Sequence, residues 1–261
     1  MKEYTFSIPN IEQDTAYDEL IDTLMHLSNK ENYLKIPNLP LQASNPHLKD
    51  YMRYKLFKWG YGLLVDFMKT PIKVFALANM YFDSAVSTCH FRKQSLQLVY
   101  SACILLAHKF SIDHITLKPS MLVSCSCNTF ELEDLLHMES KLFKLFDFRL
   151  NLTTVFDVIN VLSVIYKDQF SNNTRFISVL SRILRNFFKT QFFSHVNTFY
   201  CGLCFFNLAC TLSHQKIKDL DVFLEGFVHN NSDYSRVQSF ICQTLKINSS
   251  RSNRRSPRST A

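Results

Sequence analysis

The sequence predicts an all-α fold, one N-terminal helix followed by two successive five-helix units. Three observations predict it. Only 4 glycines and 7 prolines occur in 261 residues, and Asn-Gly and Asp-Gly, the dipeptides of tight hairpins, occur nowhere. Apolar residues recur at helical spacing along most of the chain. Each half also holds one segment that is apolar nearly all round, Leu96 to Ala107 and Phe199 to Leu212, as expected of a helix at the centre of a bundle.

Taken in order, the first ten residues are expected to be disordered or loosely attached. A helix is expected from Thr15, with Thr15 as cap, Asp18 three residues on, and Tyr17, Leu20, Ile21, Leu24 and Leu27 on one face. Residues 29–46 are polar, with Pro37, Pro40 and Pro46, and read as a connector. Asn45-Pro46 is expected to open a helix running to about Met68, with Pro at its first position. Thr70-Pro71 opens the next, through Val74, Leu77, Ala78, Tyr81, Phe82 and Ala85. The third and most apolar spans about Phe91 to Phe110, and a short one spans Leu117 to Ser124. A fifth starts at Asn128-Thr129, whose side chains can cap it, and ends near Phe146. In the second half, helices are expected near 152–167, 173–190, 196–213, 216–227 and 232–246. The tail from Asn248, rich in Ser and Arg, is expected to be disordered. The resulting divisions are 1–44, 45–150, 151–246 and 247–261.

Composition narrows the function classes. A hydrophobic fraction of 47% is that of a globular chain. Of the net charge of +7, four charges belong to Arg251, Arg254, Arg255 and Arg258 in the tail, which leaves three for the body, so no nucleic-acid-binding face is expected. No signal peptide is visible at the N-terminus. The longest apolar run, Phe199 to Cys210, is interrupted by Asn207 and is too short to cross a bilayer, so no membrane partner is expected. The expected location is the nucleus and/or cytoplasm, with the 8 cysteines as free thiols.

An enzyme is a poor fit. No Gly-rich phosphate loop, His-Glu-x-x-His or nucleophile elbow is present. Cys201-Gly202-Leu203-Cys204 has redox or zinc spacing, but it lies in an apolar helix without a second ligand pair. It reads as small buried residues at a helix crossing. Cys125 and Cys127 likewise lack partners. No catalytic residue, metal or cofactor is expected.

A series of motifs carries a resemblance. Met52-Arg53-Tyr54-Lys55-Leu56-Phe57-Lys58-Trp59 resembles the MRAILVDW opening of the cyclin box. Tyr81-Phe82-Asp83 resembles its Tyr-Ile-Asp, Leu96-Gln97-Leu98-Val99 matches LQLV, and Leu105-Leu106-Ala107-His108-Lys109-Phe110 resembles LLASKF. His137-Met138-Glu139 and Phe146-Asp147-Phe148-Arg149-Leu150 resemble RME and LTFDL. They stand in the family's order at nearly its spacing across residues 52–150, whereas residues 151–246 are similar to a cyclin C-terminal fold only in pattern.

The resemblance implies a non-catalytic subunit that forms a heterodimer with a cyclin-dependent protein kinase, activates it and controls cell-cycle progression. It implies that Lys109 and Glu139 hydrogen-bond the kinase backbone, that Leu106, Phe110, Phe143 and Leu150 form the apolar kinase-facing surface, and that Arg53 and Asp83 form an internal ion pair. The alternative is a cyclin-fold scaffold or transcription-related cyclin without a cell-cycle role; a bare scaffold need not keep Lys109 with Glu139. The family's substrate-docking patch would comprise Met52, Leu56, Trp59 and Gln97, but Lys55 replaces one of its apolar residues and Gly62 stands where the family places an acid. Lys30-Glu31-Asn32 matches a KEN degradation signal, although a solvated helix end reads the same way. The run Leu135 to Glu139 and the connector Leu34 to Pro37 resemble cyclin J. Arg254-Arg255-Ser256-Pro257-Arg258 is compatible with a nuclear-import patch, a phosphorylation site or a solubilising end.

Overall fold

The computed structural model describes residues 17–33, 45–113, 116–169, 173–190, 197–228 and 232–245. The expectations for the first residues, Thr15, most of the connector and the basic tail lie outside these. The described residues form eleven α-helices and no strand: α1 Tyr17–Tyr33, α2 Asp50–Tyr61, α3 Ile72–Thr88, α4 Leu96–Ser111, α5 Pro119–Cys125, α6 Leu132–Leu145, α7 Val155–Ile165, α8 Asn173–Thr190, α9 Thr198–Ser213, α10 Leu220–Val228 and α11 Ser232–Thr244. The all-α fold class and its two five-helix units, α2–α6 and α7–α11, are as the sequence predicts.

In the first unit α3 and α6 pack on α4, α5 packs on α6, and α2 leans on α3 and α4. Every residue of α4 from Val99 to His108 is buried, which leaves it no solvent face to show. The second unit repeats this with α9 at its centre, packed by α7, α8 and α11. The N-terminal helix α1 docks on α7 and α9, burying Leu20 and Leu24. Between the units, Lys73 of α3 meets Asp157 of α7 at 2.6 Å, and the Phe188 ring lies against both Phe75 and Phe156.

Several helix ends differ from expectation, each for a stated reason. Helix α1 continues to Tyr33 instead of yielding to the connector at residue 29. Asn45-Pro46 does not open α2, which begins at Asp50. Asn45 is fully buried and closes the end of α3: its amide donates to the carbonyls of Val86 and Cys89, and its Oδ1 accepts from the Phe91 N–H at 2.8 Å. Asn128 does not cap α6 either. Its N–H donates to Val123 O and Cys127 N–H to Ser124 O, the pair of bonds that ends a helix in a left-handed turn, here closing α5. Helix α6 is capped instead by a reciprocal box between Glu131 and Asp134. After Tyr61 the backbone continues as a π turn over Gly62–Phe67 and not as regular α-helix.

Two of the four glycines answer to close approach. A Cβ on Gly202 would stand 2.5 Å from Val158 Cβ where α9 crosses α7, and one on Gly60 would strike the Tyr100 ring. Gly226 of α10 has open space within 4 Å. Gly202→Ala should therefore destabilise the fold by about 1–3 kcal/mol through overpacking. Gly226→Ala should stabilise it by about 0.5–1 kcal/mol through helix propensity. Urea unfolding of the two variants beside the parent checks both signs.

Candidate functional site

Helix α4 emerges from the core at its C-terminal end. His108 is still fully buried, whereas Lys109 and Phe110 are exposed, with Phe110 at 48%. Helix α6 runs beside it and presents Glu139 at the same level. Lys109 Nζ lies 2.7 Å from Glu139 Oε1 and 2.9 Å from Oε2. The carboxylate is largely covered, at 13% exposure, while the lysine is open at 38%. A cation at the end of α4 is also favoured by the helix dipole.

Around this pair the apolar surface is broader than the sequence reading. On α6, Leu132, Leu136, Glu139 and Phe143 are spaced four, three and four residues apart and so share one face. Leu132 and Leu136 are 41% and 42% exposed. They were missed because apolar residues are normally assigned to the core; their spacing from Glu139 was the available clue. Leu106 is only 5% exposed, so it supports this surface from beneath and offers little area of its own.

Beyond Phe143 the chain makes a sharp exit. Asp147 and Phe148 are both left-handed, at φ 51° and 60°, with Phe148 N–H donating to Phe143 O and Asp147 N–H to Lys144 O. This termination brings the residue after the turn back onto the last helical turn. Accordingly the Phe148 ring meets the Phe143 ring edge-on at 4.9 Å and remains 61% exposed. Leu150 follows half-buried, its carbonyl accepting from the Tyr81 hydroxyl.

The other sequence-derived residues lie elsewhere. Arg53 of α2 and Asp83 of α3 form a two-pronged pair, with Nε donating to Oδ1 at 2.7 Å and Nη2 to Oδ2. Asp83 is 1% exposed, and the guanidinium stacks 4.3 Å over the Phe57 ring. Met52, Leu56 and Trp59 are half-buried on α2, and half-buried Gln97 on α4 accepts weakly from Thr129 Oγ1 at 3.5 Å. Lys30, Glu31 and Asn32 fall in the last turns of α1, and their side chains lie outside the described residues. Cys201 and Cys204 are buried within α9, and burial pushes the Cys204 thiol up to about 12, which keeps it protonated.

Two five-helix bundles, with an ion pair set in an exposed apolar surface on the first, define an all-helical class of protein. The N-terminal domain model of the cyclin family matches residues 22–151. The X-ray structure of a viral cyclin from herpesvirus saimiri superposes with a TM-score of 0.64 at 15% identity, covering 86% of this chain and 96% of that one. No curated protein sequence matches the chain. Through its cyclin box the chain belongs to the cyclin family.

Two predictions concern the supports of this surface. Asp83→Ala removes the carboxylate that neutralises the buried Arg53 guanidinium and should cost about 3–5 kcal/mol, whereas Arg53→Met with Asp83→Leu should recover most of that loss in chemical denaturation. His108 sits directly before Lys109, with Nε2 3.0 Å from Thr116 Oγ1 and Nδ1 buried without a partner among the described residues. Burial lowers its pKa below the ordinary 6.5, so the unfolded chain takes up the proton first. Stability from this group is present above pH 6.5 and is lost as pH falls through the lower folded value. Thermal melts from pH 7.5 to 5 should show this decline, and His108→Asn should flatten it.

Proposed function

We propose that the chain is the regulatory subunit of a cyclin-dependent serine/threonine protein kinase, binding and activating it and so controlling cell-cycle progression, in the nucleus and/or cytoplasm. The observation that carries this reading is the Lys109–Glu139 pair set across α4 and α6 within exposed Phe110, Leu136 and Phe148. An ammonium has three donors and a carboxylate about four acceptor sites, so the pair retains capacity for a partner's backbone carbonyl and N–H. Because each charge already neutralises the other, docking does not bury an isolated ion. The flanking rings and leucines suit the apolar side of a partner helix.

The subunit does no chemistry in this reading. It favours the kinase conformation in which the active-site Lys–Glu pair is assembled, and shifts the population toward it by binding that state better. Co-purification with a panel of cyclin-dependent kinases, followed by a phosphorylation assay, tests it. At least one kinase should bind and gain activity. Lys109→Ala with Glu139→Ala should weaken that complex at least about 30-fold with an unchanged circular dichroism spectrum. Binding by no kinase, or normal binding by the double variant, would rule the reading out.

A further inference from the structure

Helix α4 is entered by a short exposed strap. Phe91 is buried and its N–H is held by Asn45 Oδ1 at 2.8 Å, while Leu96 is buried where the helix begins. Between these anchors Arg92, Lys93 and Gln94 are exposed and Ser95 is half-buried. Arg92 is extended, at φ −66° and ψ 146°. Lys93–Ser95 make one 3-10 turn, closed by Ser95 N–H donating to Arg92 O at 2.9 Å. Ser95 stands at the N-cap position, yet its hydroxyl makes no capping hydrogen bond. Among the described residues no ion pair engages Arg92 or Lys93. The stretch from Ser84 to Ile112 contains no Asp or Glu. The Lys141 ammonium adds a third cation, 5.7 Å over the Phe91 ring.

We propose that Ser95 is a phosphorylation site for an arginine-directed serine/threonine protein kinase. Arg92-Lys93-Gln94-Ser95-Leu96 places cations three and two residues before the hydroxyl and an apolar residue after it, a pattern that an acidic substrate cleft with an apolar end recognises. Two other described serines, Ser178 and Ser239, also have an arginine three residues before and an apolar residue after. The structure separates them from Ser95. Both lie inside regular helices, α8 and α11, and both lack the second cation. Their arginines, Arg175 and Arg236, are already engaged by other groups. A serine in mid-helix enters a cleft only if the helix breaks on both sides of it, whereas Ser95 needs only the first turn of α4 to fray. In the transfer, Ser95 Oγ bonds to the γ-phosphorus of ATP. The bond from that phosphorus to its bridging oxygen breaks to leave ADP, and the hydroxyl proton passes to a base of the kinase. The phosphate then lies against the unbonded N–H groups of the first turn, with Arg92 and Lys93 beside it, and secures the turn that had to fray.

The site goes beyond the kinase-binding reading and does not rest on it. Leu96, not proline, follows the serine, so the modifying enzyme is not a proline-directed one. The assay contains the full chain, ATP with magnesium and the catalytic subunit of cyclic-AMP-dependent protein kinase, and no cyclin-dependent kinase, with sites mapped by tandem mass spectrometry. Phosphate should appear on Ser95 and be absent from Ser178 and Ser239. Arg92→Ala with Lys93→Ala should slow its appearance at least about tenfold, and Ser95→Ala should abolish it, circular dichroism showing both variants folded. The phosphorylated chain, freed of kinase, should melt about 1–4 °C above the unmodified chain at low salt, and Ser95→Ala treated in the same way should show no shift. Absence of phosphate from Ser95, equal labelling of Ser178 or Ser239, or a rate indifferent to the two cations would each overturn the site. A phosphorylated chain that melts at or below the unmodified one would overturn the securing of the turn.

Discussion

The burial of α4 is the constraint on which the rest of the first unit depends. A helix apolar on every side cannot rest on one neighbour; it needs others around it, and α2, α3 and α6 supply them. The arrangement also decides where function can sit. From Val99 to His108 the helix is enclosed, and at Lys109 it reaches the surface. Lys109 therefore lies at the first position beyond the enclosed stretch where α4 can carry a charge without full desolvation cost. Since α6 packs along α4, Glu139 arrives opposite it.

The second unit solves the same problem with α9, and the glycines show how closely the helices are drawn together. Gly60 and Gly202 serve crossings, while the turns that other proteins give to glycine fall to Asp147, His214, Cys127 and Asn128, all left-handed. A left-handed Phe148 is costly, and it persists because its ring packs back on Phe143. The exposed aromatic edge beside Glu139 is thus a product of how α6 ends. The two units are held at α3 and α7 by Lys73–Asp157, and Asp157 also caps α7 through Thr154, so one carboxylate both starts a helix and joins the units.

Much of this was legible in the sequence because hydrophobic periodicity reports burial directly. The existence of all eleven helices and the central place of α4 and α9 follow from it. Helix starts were less legible: Asn45 and Asn128 are good caps by residue type, yet Asn45 closes the end of α3, more than forty residues on, and Asn128 the end of α5, a matter of long-range or turn geometry that local preference does not encode. The pairing of Lys109 with Glu139 was legible through the motifs around them. The roles of Leu106, Leu132 and Leu136 were not, since leucines on either side of an amphipathic helix look alike until the neighbours are placed. On α6, Leu135 and Leu142 face inward, and Leu132 and Leu136 face out.

Two faces of the first unit differ in charge character. Lys109 and Glu139 cancel each other, so a ligand gains little from net charge there and must offer a donor and an acceptor in the right places. Backbone groups meet that requirement whatever the side chains, which suits a partner recognised by its fold. On α2 the cations of Lys55 and Lys58 have no carboxylate partner among the described residues, so that face carries uncompensated positive charge. Ten enclosed residues, Val99 to His108, separate Gln97 from Lys109 along α4.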